Sequence, residues 1–230
     1  MNLNMLLQIP ETVAVNNVEE PANQSISLID TAMKGGWIMI PLLLLSIVAI
    51  YIFFERLTVI RAASKYDKSF MDKIKDYIQE GKIDAALNLC RNNNTPCARM
   101  IEKGIQRLGR PMSDVSVAVE NVGNLEVSKL ENGLSYLATI SGGAPMIGFL
   151  GTVAGMIEAF FQMYNAGNNI DVSSLAGGIY TAMVTTLGGL FVGIIAYFAY
   201  NYLTTLVDKV VRDMEARSLE FMDILNEPAN

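Results

Sequence analysis

The sequence contains no histidine and only two cysteines among its 230 residues. Histidine is the side chain that most often ligates zinc, so a zinc site would have to be built from other ligands. The cysteines, Cys90 and Cys97, lie in a segment that we place below in the reducing cytoplasm, where disulfides are disfavoured. We expect no metal site and no disulfide, and interpret both thiols as packed among short helices.

The motifs of common soluble active sites are also missing. The sequence has neither a glycine-rich phosphate loop followed by Lys-Ser or Lys-Thr nor a Gly-x-Ser-x-Gly nucleophile turn. We therefore predict that the chain is not an enzyme, binds no organic cofactor and has no nucleic acid as a partner. Any energy that it uses must come from a partner protein or from the membrane.

Long apolar runs are present instead, in a chain that is 51% hydrophobic and 17% charged. They cover residues 37–54, 140–163 and 175–207, and the only charge in them is Glu158. A bilayer core about 30 Å thick needs about 20 helical residues, so each run is long enough to span once. We predict an all-α membrane protein with three transmembrane helices, of which the second and third extend into a cytoplasmic helical domain.

The orientation follows from the basic residues. Thirteen of the 17 Lys and Arg lie between Glu55 and Gly133, and three more follow the third run. Because basic residues concentrate on the cytoplasmic side, the amino terminus is predicted outside and the carboxyl terminus inside. The remaining segments are a periplasmic segment with an interfacial helix (1–36), a cytoplasmic helical segment (55–139), a periplasmic loop (164–174) and a cytoplasmic tail (208–230).

Within the cytoplasmic segment, turn signals separate four predicted helices. The first continues from the membrane through Glu55–Glu80 to a stop at Gly81. The second covers Ile83–Asn92 and the third Ala98–Leu108. Ser113 with Asp114 is predicted to cap the fourth, which runs toward Leu134.

Small residues form a stripe on the second span. Gly148, Gly151 and Gly155 are spaced i, i+3 and i+7 and share one helix face, with Thr152 beside them. Such a stripe is typical of close helix packing in lipid. Pro145 removes a backbone donor, and we expect it to bend or loosen the helix near the inner membrane boundary.

The third span carries a similar stripe of small and hydroxylated residues. A threonine hydroxyl in such a helix often donates to a carbonyl one turn earlier, which is one interpretation of each. The other is that threonines beside glycine in two neighbouring spans line a partly hydrated ion pathway. The residues are Gly178, Thr181, Thr185, Gly188 or Gly189, and Gly193, with Thr186 next to them.

The order of motifs resembles the ExbB/TolQ/MotA proton-channel family, and most closely its ExbB branch. The likeness covers about residues 37–215. Its central motif is Gly148-x-Leu-Gly-Thr-Val-x-Gly-Met156. The others are Leu130-Glu-x-Gly-Leu134, Leu137-Ala-Thr-Ile140, Ala144-Pro145, Ala182-x-Val-x-Thr-x-x-Gly-Leu-Phe-Val192, Ala85-Ala-Leu-x-Leu-Cys90 and Pro96-x-Ala-Arg99.

The resemblance implies a homopentamer whose second and third spans line a central pore in the bacterial inner membrane. The pore would hold the helices of an ExbD-like or TolR-like dimer, and a TonB-like protein would receive the work. Protons are the implied coupling ion. The glycines would let the subunits approach the partner helices, and Thr152 and Thr186 occupy the two threonine positions of the motif.

The chain departs from the family at Thr181, where many ExbB and TolQ proteins carry a glutamate. The ionisable group is therefore expected on the partner helix, as an aspartate. Glu158 is interpreted either as part of the pore mouth or as a surface group that snorkels to the membrane edge. The pair Thr185–Thr186 raises sodium as an alternative ion, because sodium needs several oxygen ligands. A TolQ-like role and a non-conducting membrane scaffold remain as alternative functions.

Overall fold

The computed structural model describes residues 35–65, 69–167 and 172–226. These residues form helices and turns, without a strand. Seven helices occur in these ranges: α1 (Met39–Ala63), α2 (Ser69–Gln79), α3 (Ile83–Asn92), α4 (Pro96–Ile105), α5 (Met112–Glu131), α6 (Leu134–Ala166) and α7 (Val172–Asn226). The predicted interfacial helix in the amino-terminal segment lies outside the described residues, as does the middle of the predicted periplasmic loop.

Within the described residues, three helical stretches are long and apolar enough to cross a bilayer, which confirms the predicted fold class. They are Met39–Ala63, Met112–Ala166 and Val172–Asn226. Helix α7 has 55 residues, so at 1.5 Å per residue it is about 80 Å long, well beyond the thickness of a bilayer. One continuous helix thus belongs both to the membrane region and to the helical domain on its basic side.

In the membrane region, α6 and α7 form a tightly packed pair, and α1 packs against both. The contact between α1 and α7 is close at Gly188, where an added Cβ would lie 3.2 Å from the sulfur of Met39. Most of the large side chains of α1, such as Leu43, Leu44 and Tyr51, remain exposed. These apolar faces are suited to lipid or to other membrane helices.

The helices α2, α4 and α5 pack against α7, and α3 packs against α2 and α4. Phe221 of α7 is wholly buried there, and its ring lies where a Cβ on Gly104 of α4 would be. Val119 of α5 borders the same position, at 2.8 Å from the added Cβ. Glycine at position 104 therefore lets α4 approach α5 and α7 closely.

A short break separates α5 from α6. Gly133 has a φ of +88°, a conformation that glycine adopts without steric cost. The Arg56 side chain of α1 packs on this turn, with Nε 3.2 Å from the position of an added Cβ. Its guanidinium donates to the carbonyl of Lys129 at 3.4 Å, so α1 contacts the junction between the membrane region and the helical domain on its basic side.

Several predicted helix boundaries need correction. The first helix ends at Ala63, with Ser64 as its C-cap, instead of continuing to Glu80. Helix α4 covers Pro96–Ile105 because Thr95 caps its amino end and accepts from the Ala98 amide. Helix α5 begins at Met112, so Ser113 and Asp114 lie in its first turn and do not cap it. Helix α3 has both ends where they were predicted.

Candidate ion-pathway site

The glycine stripe of α6 faces α7 of the same chain. A Cβ on Gly148 would lie 2.9 Å from the carbonyl oxygen of Thr185 and 3.0 Å from the Cα of Gly189. Real Cβ atoms do not approach other atoms so closely, so the two backbones are in contact here. At Gly151 the added Cβ would meet the Thr185 side chain, and at Gly155 it would lie 2.8 Å from the Cβ of Ala182.

The antiparallel contact continues in both directions along the pair. Toward the carboxyl end of α6, a Cβ on Gly178 would lie 2.9 Å from the Cβ of Ala159. Toward the basic end, a Cβ on Gly193 would lie 2.5 Å from the Pro145 ring and 3.0 Å from the carbonyl of Ser141. The stripe therefore packs two helices of one chain, and its direct neighbours are not partner helices as the resemblance had suggested.

Pro145 lies inside α6, which continues through it from Leu134 to Ala166. A proline has no amide hydrogen, so the carbonyl four residues earlier, that of Ser141, loses its helical donor. Gly193 fills the space beside both the ring and that carbonyl. The close approach of α7 at this point thus depends on a glycine opposite a proline.

Three threonine hydroxyls converge where the backbones touch. Thr186 Oγ1 donates to the carbonyl of Gly148 at 3.0 Å, and Thr185 Oγ1 donates to the carbonyl of Ala182 at 2.7 Å. Thr152 Oγ1 is hydrogen-bonded to Thr186 Oγ1 and lies 3.3 Å from the carbonyl of Ala182. We call these three hydroxyls and two carbonyls the oxygen cluster.

The oxygen cluster has more acceptor than donor capacity. Three hydroxyls bring three hydrogens, and all of them have acceptors within the cluster, while every oxygen carries lone pairs. Such a group can accept hydrogen bonds from a water or a hydronium ion, and it can also ligate a small cation. Thr152 and Thr186 are partly exposed, whereas Thr185 is 1% exposed, so Thr152 and Thr186 form its accessible edge.

The remaining threonine, Thr181, lies apart from the oxygen cluster. Its Cγ2 atom is 4.0 Å from the position of a Cβ on Gly36, before the start of α1. Ala182, one residue on, takes the place opposite Gly155. The predicted stripe therefore divides: Gly178, Thr185, Gly189 and Gly193 face α6, whereas Thr181 and Gly188 face the α1 side.

Glu158 is exposed near the carboxyl end of α6. Gln162, one turn later, donates to its carboxylate at 2.9 Å, and Ser174 of α7 donates to the Gln162 side chain at 3.4 Å. The carboxylate is thus tied to a short polar chain between the carboxyl end of α6 and the amino end of α7. It lies away from the oxygen cluster, which is one and a half turns or more toward the basic side.

Both cysteines are free thiols, and burial raises the pKa of each to about 12. Thiols with such high pKa values are unreactive at neutral pH. Among residues 35–65, 69–167 and 172–226, no group of three or more metal-ligating side chains occurs.

The sequence analysis missed a buried ionic cluster between α4 and α5. Glu126 is 3% exposed and accepts from Arg99 at 2.5 Å and from Lys129 at 2.6 Å. Burial by itself would raise the pKa of Glu126, but the two cationic donors outweigh it and lower the pKa. The signal was present, because Glu126 shares a helix face with Val119, Gly123 and Leu130, where a carboxylate requires a partner.

Comparison with known proteins assigns the chain to a family. The model of the MotA/TolQ/ExbB proton channel family matches residues 92–216, which include both membrane helices of the oxygen cluster. The chain belongs to the MotA/TolQ/ExbB proton channel family. It is a multi-pass membrane protein of a transport family, most like ExbB.

Individual relatives agree with this assignment. A putative biopolymer transport protein ExbB homolog of Methanothermobacter thermautotrophicus is 28% identical over 82% of this chain and 67% of its own length. The Tol-Pal system protein TolQ of Haemophilus influenzae is 28% identical over 84% and 89%. The biopolymer transport protein ExbB of Neisseria gonorrhoeae is 36% identical over 38% and 40%.

Proposed function

We propose that this protein is the ion-conducting subunit of an ExbB-type motor in the bacterial inner membrane. Five copies form a ring in which α6 and α7 line the central pore, with the amino terminus in the periplasm. The ring holds the membrane helices of two ExbD-like or TolR-like partner chains. Ion flow turns the partner relative to the ring, and a TonB-like protein receives the work in the periplasm.

The observation that carries this proposal is the oxygen cluster. Five oxygens from Thr152, Thr185, Thr186, Gly148 and Ala182 meet at a backbone contact inside an otherwise apolar helix pair. Polar groups in a membrane helix are costly to desolvate and usually serve a transport path or helix contact. The partly exposed Thr152 and Thr186 provide a polar wall for the side of the helix pair that faces the pore.

A carboxylate from the partner completes the pathway. Helix α7 has no charged residue between Leu175 and Val207, and Thr181 is uncharged. A proton moving through the membrane needs a titratable group to bind it, and a threonine does not titrate in the physiological range. An aspartate on the partner helix supplies that group, while the hydroxyls of this chain stabilise water beside it.

The coupling ion is the proton in this proposal, and sodium is the alternative. A sodium ion prefers several oxygen ligands at once, and the oxygen cluster has five within reach of one another. The burial of Thr185 favours the proton, because a side chain that is 1% exposed and hydrogen-bonded within its own helix is the least accessible of the threonines that could ligate sodium. The accepting carbonyl lies three residues earlier in the same helix.

Two other functions remain to be separated from this one. The extent of the match to the Haemophilus TolQ favours a TolQ-like role in a Tol-Pal envelope system as the second candidate. A passive scaffold that binds partner helices without conducting is the third. Neither alternative involves an enzymatic step.

Reconstitution separates motor from scaffold. The protein would be placed in vesicles alone, with an ExbD-like or TolR-like partner from the same organism, and with that partner's membrane aspartate changed to asparagine. We expect ion uptake only with the unaltered partner. A complex that forms but conducts nothing in any vesicle would support the scaffold, and the partner that copurifies from the native membrane distinguishes the ExbB-like from the TolQ-like role.

A further inference from the structure

A groove with a volume of about 410 Å³ lies between α1 and α7 in the membrane region. Its walls are hydrocarbon except for Ser46 and the hydroxyl of Tyr202. Phe53 and Tyr202 lie with ring centroids 6.5 Å apart, at the end of the groove nearer the basic side. Ala49 and Ala199 are among the small residues that keep the groove open.

The lining of this groove does not suit water. A water molecule needs two to four polar partners, which a hydrocarbon lining does not provide. The α1 residues that line the groove, from Ser46 to Phe54, extend over about 12 Å of helix. Small side chains at Ala49, Ala196 and Ala199 lie between larger aromatic and aliphatic ones along this length, a lining that suits a narrow and flexible apolar chain.

We propose that the groove holds an acyl chain of a phospholipid from the membrane leaflet on the basic side. The bilayer surrounds this region, so the occupant is available wherever the protein is inserted. The aromatic residues lie toward the headgroup end, as they do at membrane interfaces. The chain enters past Phe54 and Tyr202 and extends toward the middle of the membrane between Ala49 and Ala196.

Basic residues are placed to contact the lipid phosphate. Arg61 follows Phe54 by seven residues and Lys209 follows Tyr202 by seven residues, which puts both about 10 Å beyond the groove along their helices. Both are exposed. Of the nearby acids, Glu55 is held by Arg56, and Asp208 is adjacent to Lys209 in the chain. The phosphate therefore has Arg61 as its principal cationic contact.

Native mass spectrometry of the purified protein tests the proposal. We expect about one phospholipid per chain to survive detergent exchange. The variant Ala199→Phe fills the groove and should lower this retention at least about tenfold, the effect of excluding about two methylene groups. The matched control Ile194→Phe adds a ring on the same helix outside the groove lining and should retain the lipid.

A second measurement uses the unaltered protein. A phospholipid with a photoactivatable group in its acyl chain is expected to crosslink within residues 46–54 and 192–202 after detergent washing. Equal retention by Ala199→Phe and Ile194→Phe, or crosslinks confined to other segments, would overturn the proposal. Thiol crosslinking between two copies through Ile50→Cys would assign the groove to a neighbouring chain and overturn it as well.

Discussion

Gly189 and Gly148 bring the backbones of α7 and α6 into direct contact. A Cβ on Gly189 would lie 2.8 Å from the Cα of Gly148 and 2.6 Å from the carbonyl oxygen of Ala144. The same contact exposes the Gly148 carbonyl to Thr186, whose hydroxyl donates to it at 3.0 Å. Close packing and the oxygen cluster are therefore two consequences of one helix register.

Replacing Gly189 by Ala should separate the two helices. The added methyl meets backbone atoms, which cannot rotate away, so we expect the protein to lose about 1–3 kcal/mol of unfolding free energy. Unfolding of the purified protein in mixed detergent micelles, with denaturing detergent as titrant, measures this loss. Gly177→Ala is the control, because nothing lies within 4 Å of its added Cβ; equal stability of the two variants would contradict the packing.

Much of the fold follows from sequence alone because its signals are local. Apolar runs with a single charge among them define the membrane spans, and helix α3 is bounded by turn residues at Gly81 and at Asn93–Asn94. The break at Gly133 was missed because Val122 and Leu125 continue the apolar pattern almost to it. The dipeptide Asn132-Gly133 is a turn signal that the prediction passed over, and the positive φ of Gly133 shows that the chain turns there.

The candidate site was predicted less completely. Thr152, Thr185 and Thr186 were identified from the sequence as residues of the ion pathway. Their hydrogen-bond partners were not, because these depend on how α7 is rotated against α6. Thr181 and Ala182 point about 100° apart on α7. The pattern of small residues in α7 alone does not show which of the two faces α6. The rotation of α7 against α6 is fixed by the contact between Gly155 and Ala182. This contact joins two helices, and the sequence of either helix alone does not specify it.

The buried carboxylate of Glu126 should make the unfolding free energy depend on pH. Its pKa is lowered in the folded protein, so its contribution is present above its unfolded pKa of about 4.3 and is lost as the pH falls through the folded value. The unfolding free energy of the wild type should exceed that of Glu126→Gln by a constant amount above about pH 5. Denaturation at a series of pH values should show this difference shrinking below about pH 4; a difference that stays constant would contradict the pKa direction.

Labelling from either side of the membrane tests the predicted orientation. A cysteine in place of Asn165 should react with an impermeant maleimide added from the periplasm, and one in place of Asn92 should not. The native thiols provide a low background, because their pKa values of about 12 leave almost no thiolate at neutral pH. If only the Asn92→Cys variant were labelled from the periplasm, the predicted orientation would be wrong.

Thr185 distinguishes the two coupling ions. The variant Thr185→Val removes its hydroxyl while keeping its shape, so a proton pathway through Thr152 and Thr186 should retain activity. Sodium coupling should be lost, because the ion loses one of its oxygen ligands. The measurement is partner-dependent uptake in sodium-free medium and with a protonophore; activity that persists without sodium and is abolished by the protonophore supports protons.

The most direct test of the account is proton uptake by vesicles that contain Thr186→Val together with the aspartate-bearing partner. The variant should insert and bind the partner, yet its uptake should fall at least about tenfold, since a water in the pathway loses a hydrogen bond worth about 1.5 kcal/mol. Thr186→Ser should conduct, and so should Thr205→Val, whose exposed hydroxyl donates to the Asn201 carbonyl of its own helix at 2.9 Å. Uptake by Thr186→Val equal to that of Thr205→Val would contradict a role for the oxygen cluster in conduction.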